Sequence, residues 1–119
     1  NLHKTACLIA EQHEGKFPLN YDDVLALPGI GPSTAAAILA QAAEQRHAIL
    51  DGNVKRVLAR HQAIEGWPGN AKVEKKLWQW AEKYTPQQQL ADYTQAIMDL
   101  GATVCTRSAA KCDCCPLTK

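Results

Sequence analysis

Apolar residues recur along this chain at three- and four-residue intervals, and no segment shows the two-residue alternation of a half-buried strand. Leu2, Ala6, Ile9 and His13 trace a first helix, which Glu14-Gly15 ends. Phe17-Pro18-Leu19 reads as extended. Asn20 then caps a short helix holding Val24, Leu25 and Leu27, with Asp23 in a weak box-like arrangement. The turn Leu27-Pro28-Gly29-Ile30-Gly31 leads to Pro32, which suits the first position of a helix. An alanine-rich run with Ile38 and Leu39 extends that helix to about Gln45. Asp51 or Asn53 opens the next one, around Val54, Val57 and Leu58. Gly66-Trp67-Pro68-Gly69-Asn70 is a turn cluster. Val73, Leu77, Trp80 and Tyr84 line a face of a fifth helix, and Leu90, Thr94, Ile97 and Met98 a face of a sixth, which Gly101 is expected to end. The pattern predicts an all-α assembly of short helices.

A length of 119 residues allows one domain with a modest core. No apolar run approaches membrane-spanning length. The net charge of +1 argues against a bulk electrostatic binder of nucleic acid, but not against a site that grips a few phosphates through backbone amides and local cations. Of the five cysteines, four fall within residues 105–119. A disulfide framework spreads cysteines to close loops, whereas a metal or cluster site gathers them, so reduced thiols in an intracellular protein are expected. Six residues separate Cys105 from Cys112 and two separate Cys112 from Cys115, a spacing that suits an iron–sulfur cluster or zinc. Cys114 reads as a spare thiol or a substitute ligand, and its adjacency to Cys115 favours the spare; Cys7 is expected to be a buried small apolar residue. The chain opens inside a helix at Asn1 and closes inside the cysteine loop at Lys119, so it reads as part of a longer protein.

Candidate chemistry concentrates at the turn and at the acid that follows it. A turn into a helix leaves the first amides unpaired, and the helix dipole adds partial positive charge there. Pro28, Gly29, Ile30 and Gly31 would bring a phosphate close to those amides, Thr34 would add a hydroxyl, and neighbouring carbonyls would suit a monovalent cation. A helical hairpin without a ligand needs the same turn residues. Asp51 opens a helix as either an N-cap or a reactive carboxylate. Trp67, Trp78, Trp80, Tyr84 and Tyr93 favour packing over base stacking, with Trp67 expected against the hairpin.

Residues 27–35 (Leu27-Pro28-Gly29-Ile30-Gly31-Pro32-Ser33-Thr34-Ala35) resemble the helix-hairpin-helix signature of the base-excision DNA glycosylases. The run Leu50-Asp51-Gly52-Asn53-Val54-Lys55-Arg56-Val57-Leu58-Ala59-Arg60 is similar to the MutY adenine glycosylase branch. Gly66-Trp67-Pro68-Gly69, Met98-Asp99-Leu100-Gly101-Ala102 and Cys105-Thr106-Arg107-Ser108 extend the likeness over nearly the whole chain. The resemblance implies a monofunctional glycosylase that hydrolyses the N-glycosidic bond of adenine mispaired with 8-oxoguanine or guanine. It implies a double-stranded DNA partner with a flipped-out adenine, a monomeric enzyme, and a bacterial cytoplasmic, nucleoid-associated location. It also implies a partial helix-hairpin-helix glycosylase fold. In that fold, residues 1–50 belong to a six-helix barrel with the hairpin at about 20–46, residues 51–104 form helices of the cluster-bearing domain, and residues 105–119 are the cluster loop.

Residue by residue, the resemblance gives Asp51 the catalytic carboxylate, which stabilises a cationic sugar. It gives Pro28, Gly29, Ile30, Gly31, Ser33, Thr34, Lys55 and Arg56 contacts with DNA. Cys105, Cys112 and Cys115 become ligands of a [4Fe–4S] cluster whose fourth cysteine would stand two positions beyond Lys119. Adenine needs a proton to leave. The family's glutamate for that step lies upstream of Asn1, so the chain by itself is expected to be inactive. Glu11, Glu14, Glu44, Glu65, Glu74 and Glu82 match no such motif and read as solvated charges. The endonuclease III branch carries a nucleophilic lysine where Ser33 stands, and a serine forms no Schiff base. An endonuclease III-like enzyme and a non-catalytic DNA-binding module are the alternatives. By itself the chain would leave a stripe such as Val73, Leu77 and Trp80 exposed.

Overall fold

A computed structural model describes residues 1–118. It contains six α-helices: α1 (Leu2–Gln12), α2 (Tyr21–Leu25), α3 (Pro32–Ala43), α4 (Gly52–His61), α5 (Ala71–Tyr84) and α6 (Leu90–Thr103). A single 3-10 turn follows at Cys112–Cys114, and there is no strand among the described residues. None of these helices is long and apolar enough to cross a membrane.

Short polar side chains start three of the helices by satisfying amides that a first turn leaves unpaired. The Asn20 side chain accepts from the amides of Asp22 and Asp23 at 3.0 and 3.3 Å, Asp51 from Val54, and Asn70 from Lys72 at 2.9 Å. Helix α6 has no such cap, because Gln89 before it is left-handed. Glu44, just past the end of α3, accepts from the amides of Leu90 and Ala91 instead, both at 3.3 Å.

Helices α3 and α4 both pack on α6, with α2 against α3 and α5 against α4. Val24, Ala35 and Leu39 form one small core. The larger core gathers Ala36, Leu50, Val54, Leu58, Leu77 and Ile97, so segments on both sides of residue 50 share it. The stripe expected to lie bare on α5 is covered where it matters most: Leu77 is fully buried, and Val73 and Trp80 are half-buried.

Three sequence expectations need correction. Gly101 does not end its helix; it lies buried inside α6, where α4 comes closest. A Cβ there would stand 2.7 Å from the Asn53 Cβ and 2.8 Å from its carbonyl oxygen. Gly101→Ala is therefore expected to cost about 1–3 kcal/mol by overpacking, read by chemical denaturation. Cys7 is exposed, with its Sγ 3.7 Å from His3 Nε2. Helix α1 turns Thr5 inward instead, and the Thr5 hydroxyl donates to the Pro28 carbonyl at 3.0 Å. Trp67 is 76% exposed and leans over Gly69 rather than packing on the hairpin.

Candidate functional site

The hairpin turn closes through the Ile30 amide donating to Leu27 and the Ala35 amide donating to Gly31. Gly29 sits at φ +79°, a conformation that an L side chain rarely adopts. Gly31 caps α3 without a side chain, so nothing local covers the amides of Ser33 and Thr34. Gly31, Pro32 and Thr34 are exposed. The result is a bare helix N-terminus behind a turn, the ordinary geometry for holding an anion.

Asp51 reaches the same place from the other side. The chain between α3 and α4 runs inward, with Ala48, Ile49 and Leu50 buried. The Leu50 amide donates to Ser33 Oγ at 2.7 Å, which fastens the approach to Asp51 onto the start of α3. Asp51 Oδ1 accepts from Val54 N at 2.8 Å, and its other carboxylate oxygen has no hydrogen-bond partner among the described residues. Ser33, Thr34 and Asp51 thus line one open cavity of about 250 Å³, walled by Ala37, Ile38, Gln41, Ile49 and Met98. Sequence reasoning missed Gln41. Helical register was the available signal, since Thr34, Ala37, Ile38 and Gln41 share one face of α3. Gln41 donates to Gln95 at 2.7 Å, and Gln95 in turn to Asp99 at 2.9 Å.

No glutamate lines this cavity. Three of the six have other partners: Glu44 caps α6, Glu82 pairs with Arg46 at 2.6 Å, and Glu74 faces Lys55 at 3.6 Å. Lys55 therefore leans toward α5. Arg56 turns inward, donating to the carbonyls of Cys105 and Gly101 and to the Asn53 side chain. Its guanidinium ties α4 to the end of α6.

One helical turn further on, Arg60 grips the cysteine loop. It donates to the Thr106 and Arg107 carbonyls at 2.7 and 3.1 Å and lies 3.4 Å from Cys105 Sγ. Cys105, Cys112 and Cys115 line one cavity of about 230 Å³, together with Val57, His61 and Leu100 among others. Cys114 does not line it; its thiol donates to the Lys111 carbonyl at 3.4 Å. Among the described residues no three His, Cys, Asp or Glu side chains converge as a single metal ion requires. The loop's last residue, Lys119, lies outside the described residues.

A helix-hairpin-helix motif model matches residues 12–40. The adenine DNA glycosylase of Buchnera aphidicola subsp. Schizaphis graminum is 44% identical over 117 residues, which is 98% of this chain and 34% of that protein. The Homo sapiens adenine DNA glycosylase is 38% identical over 98% of this chain and 21% of its own length. The chain thus spans about a third or less of these curated relatives. Among solved structures, a thermostable thymine-DNA glycosylase matches with a TM-score of 0.85 and 29% identity, over 98% of this chain and 54% of that one. An endonuclease III in a non-covalent DNA complex matches with a TM-score of 0.75 over 99% and 53%; at 21% identity that likeness is one of fold.

Proposed function

Over nearly its whole length this chain is homologous to the adenine DNA glycosylases and carries the endonuclease III-like glycosylase fold, and from that premise we propose that it works in base-excision repair. The reaction is hydrolysis of the N-glycosidic bond of an adenine flipped out of duplex DNA opposite 8-oxoguanine or guanine. The observation that carries this reading is the shared cavity: an aspartate with a free carboxylate oxygen stands beside a bare helix N-terminus that suits a DNA phosphate.

The turn of Pro28, Gly29, Ile30 and Gly31, with the Ser33 and Thr34 amides, holds the backbone phosphate near the extruded nucleotide. The carbonyls of Gly29 and Ile30 accept no hydrogen bond among the described residues and are free to hold a monovalent cation there. As the bond from sugar to base breaks, its electron pair leaves with adenine and positive charge develops on the sugar. The Asp51 carboxylate stabilises that charge in a partly desolvated site. A group outside these 119 residues protonates the departing base, and water completes hydrolysis, because Ser33 offers no amine to form a Schiff base. Lys55, although paired with Glu74 on α5, stands one turn after Asp51 and is the remaining cation that could reach a DNA phosphate, while Arg56 holds the scaffold. The enzyme acts as a monomer in the bacterial cytoplasm.

Cys105, Cys112 and Cys115 line one cavity, and their spacing in the sequence is the one the resemblance associates with a cluster. Cys105, Cys112 and Cys115 would hold a [4Fe–4S] cluster, whose contribution when bound is to order the loop.

The deciding experiment is single-turnover release of adenine from a duplex carrying an adenine·8-oxoguanine pair, by this chain extended to the length of its relatives. Excision supports the reading. Binding without excision leaves a DNA-binding module, and strand nicking through a covalent intermediate favours the endonuclease III-like alternative. Gly29→Ala is expected to weaken duplex affinity severalfold, because alanine strains the turn at φ +79° and its Cβ would meet the Asn1 Cβ at 3.1 Å. The excision rate at saturating enzyme should change much less.

A further inference from the structure

We infer that Ser33 is a positioning residue for Asp51, acting through the amide of Leu50. The inference rests on the catalytic reading above and deepens it, since the resemblance gives Ser33 a contact with DNA and the absence of a lysine but no role toward Asp51. After α3 the Gln45 amide bonds back to the Leu39 carbonyl. From there to Asp51 the chain crosses five residues, and the only backbone amide among them that finds a partner among the described residues is that of Leu50, on Ser33 Oγ at 2.7 Å. Leu50 is buried, so its amide has no ready access to water as a substitute partner. The serine hydroxyl therefore sets the direction in which the chain enters Asp51, from a helix start that would itself face the DNA.

Position matters here because electrostatic stabilisation of a developing charge depends on where the carboxylate is held. A displacement of 1 Å can cost about 100-fold in rate. An alanine at this position removes the acceptor, whereas a threonine keeps it. A purely steric role for Ser33 would make the larger threonine the damaging variant and the smaller alanine the mild one, the reverse order.

The test compares Ser33→Ala and Ser33→Thr in the chain extended to the length of its relatives. It measures single-turnover adenine release, duplex affinity and hydrogen exchange at the Leu50 amide. Ser33→Ala is expected to slow release by about tenfold or more at saturating enzyme, with the Leu50 amide exchanging faster, and Ser33→Thr to restore both rate and protection. An Ser33→Ala rate within twofold of the unsubstituted protein would overturn the inference. So would a slow Ser33→Thr variant with a protected Leu50 amide, since the hydrogen bond would then be intact without its effect. Absence of excision from the unsubstituted protein would refute the catalytic reading itself, a separate failure.

Discussion

Asp51→Asn should abolish adenine release, by at least 10²–10³-fold in the single-turnover rate, while leaving duplex affinity and folding stability close to unchanged. The separation follows from the two tasks this side chain performs. One oxygen accepts the Val54 amide and caps α4; the other faces the cavity without a partner. Asparagine caps a helix as well as aspartate does, so the amide contact survives the substitution. What disappears is the negative charge that would meet the cationic sugar. Asp51→Ala is the less informative variant, because loss of the cap costs about 0.5–2 kcal/mol and mixes stability with chemistry. Release rate, equilibrium binding to the mismatched duplex and thermal melting, measured on one preparation of the extended chain, separate these effects. A variant that binds, folds and still releases adenine at the original rate would remove Asp51 from the mechanism.

The elements of this fold were legible in the sequence because each is announced locally. Asn20, Asp51 and Asn70 each stand one residue before the helix they start. Pro32 opens α3 at the position proline tolerates, and the small residues behind it let α6 approach. The candidate site was half legible. A Pro-Gly-x-Gly turn and a cap aspartate are local features, but the link that brings them together is not. Ser33 and Leu50 stand seventeen residues apart, and no periodicity relates them.

The misreadings have a common physical origin. A glycine near the end of an apolar stripe looks the same whether it stops a helix or admits a neighbour, and only the proximity of Asn53 identifies Gly101 as the second kind. A free cysteine on a helix is taken as buried because most are; on α1 the surface that meets the hairpin turn carries Thr5 instead. The resemblance gives Arg56 a contact with DNA, and no local pattern announces that its guanidinium also binds within the fold. Its partners are carbonyls forty-five and forty-nine residues away.

The cysteine loop carries the other large effect. Beyond Gly101 no described residue is buried, so the loop has almost no apolar core to hold its shape. Its order within the chain rests on Arg56 and Arg60, on the contacts of Thr118 with the Cys112 and Cys115 carbonyls, and on whatever the three thiols bind. In the chain extended to the length of its relatives, replacing Cys105, Cys112 or Cys115 by serine is therefore expected to lose iron, sulfide and visible absorption together. Melting should drop by several degrees in each, since about 1 kcal/mol corresponds to about 4–8 °C in a 60–100-residue domain. Cys114→Ser should keep full iron content and the original melting point, because its thiol faces the Lys111 carbonyl and not the cavity. The four serine variants make the argument sharper than any one of them: cluster loss in the Cys114 variant with retention in the Cys105 variant would reverse the ligand assignment. One equivalent of zinc with no iron in the unsubstituted protein would replace the cluster with a metal ion. Three dependent thiols and one indifferent one, with iron and sulfide in equal amounts, is the outcome the proposed cluster requires.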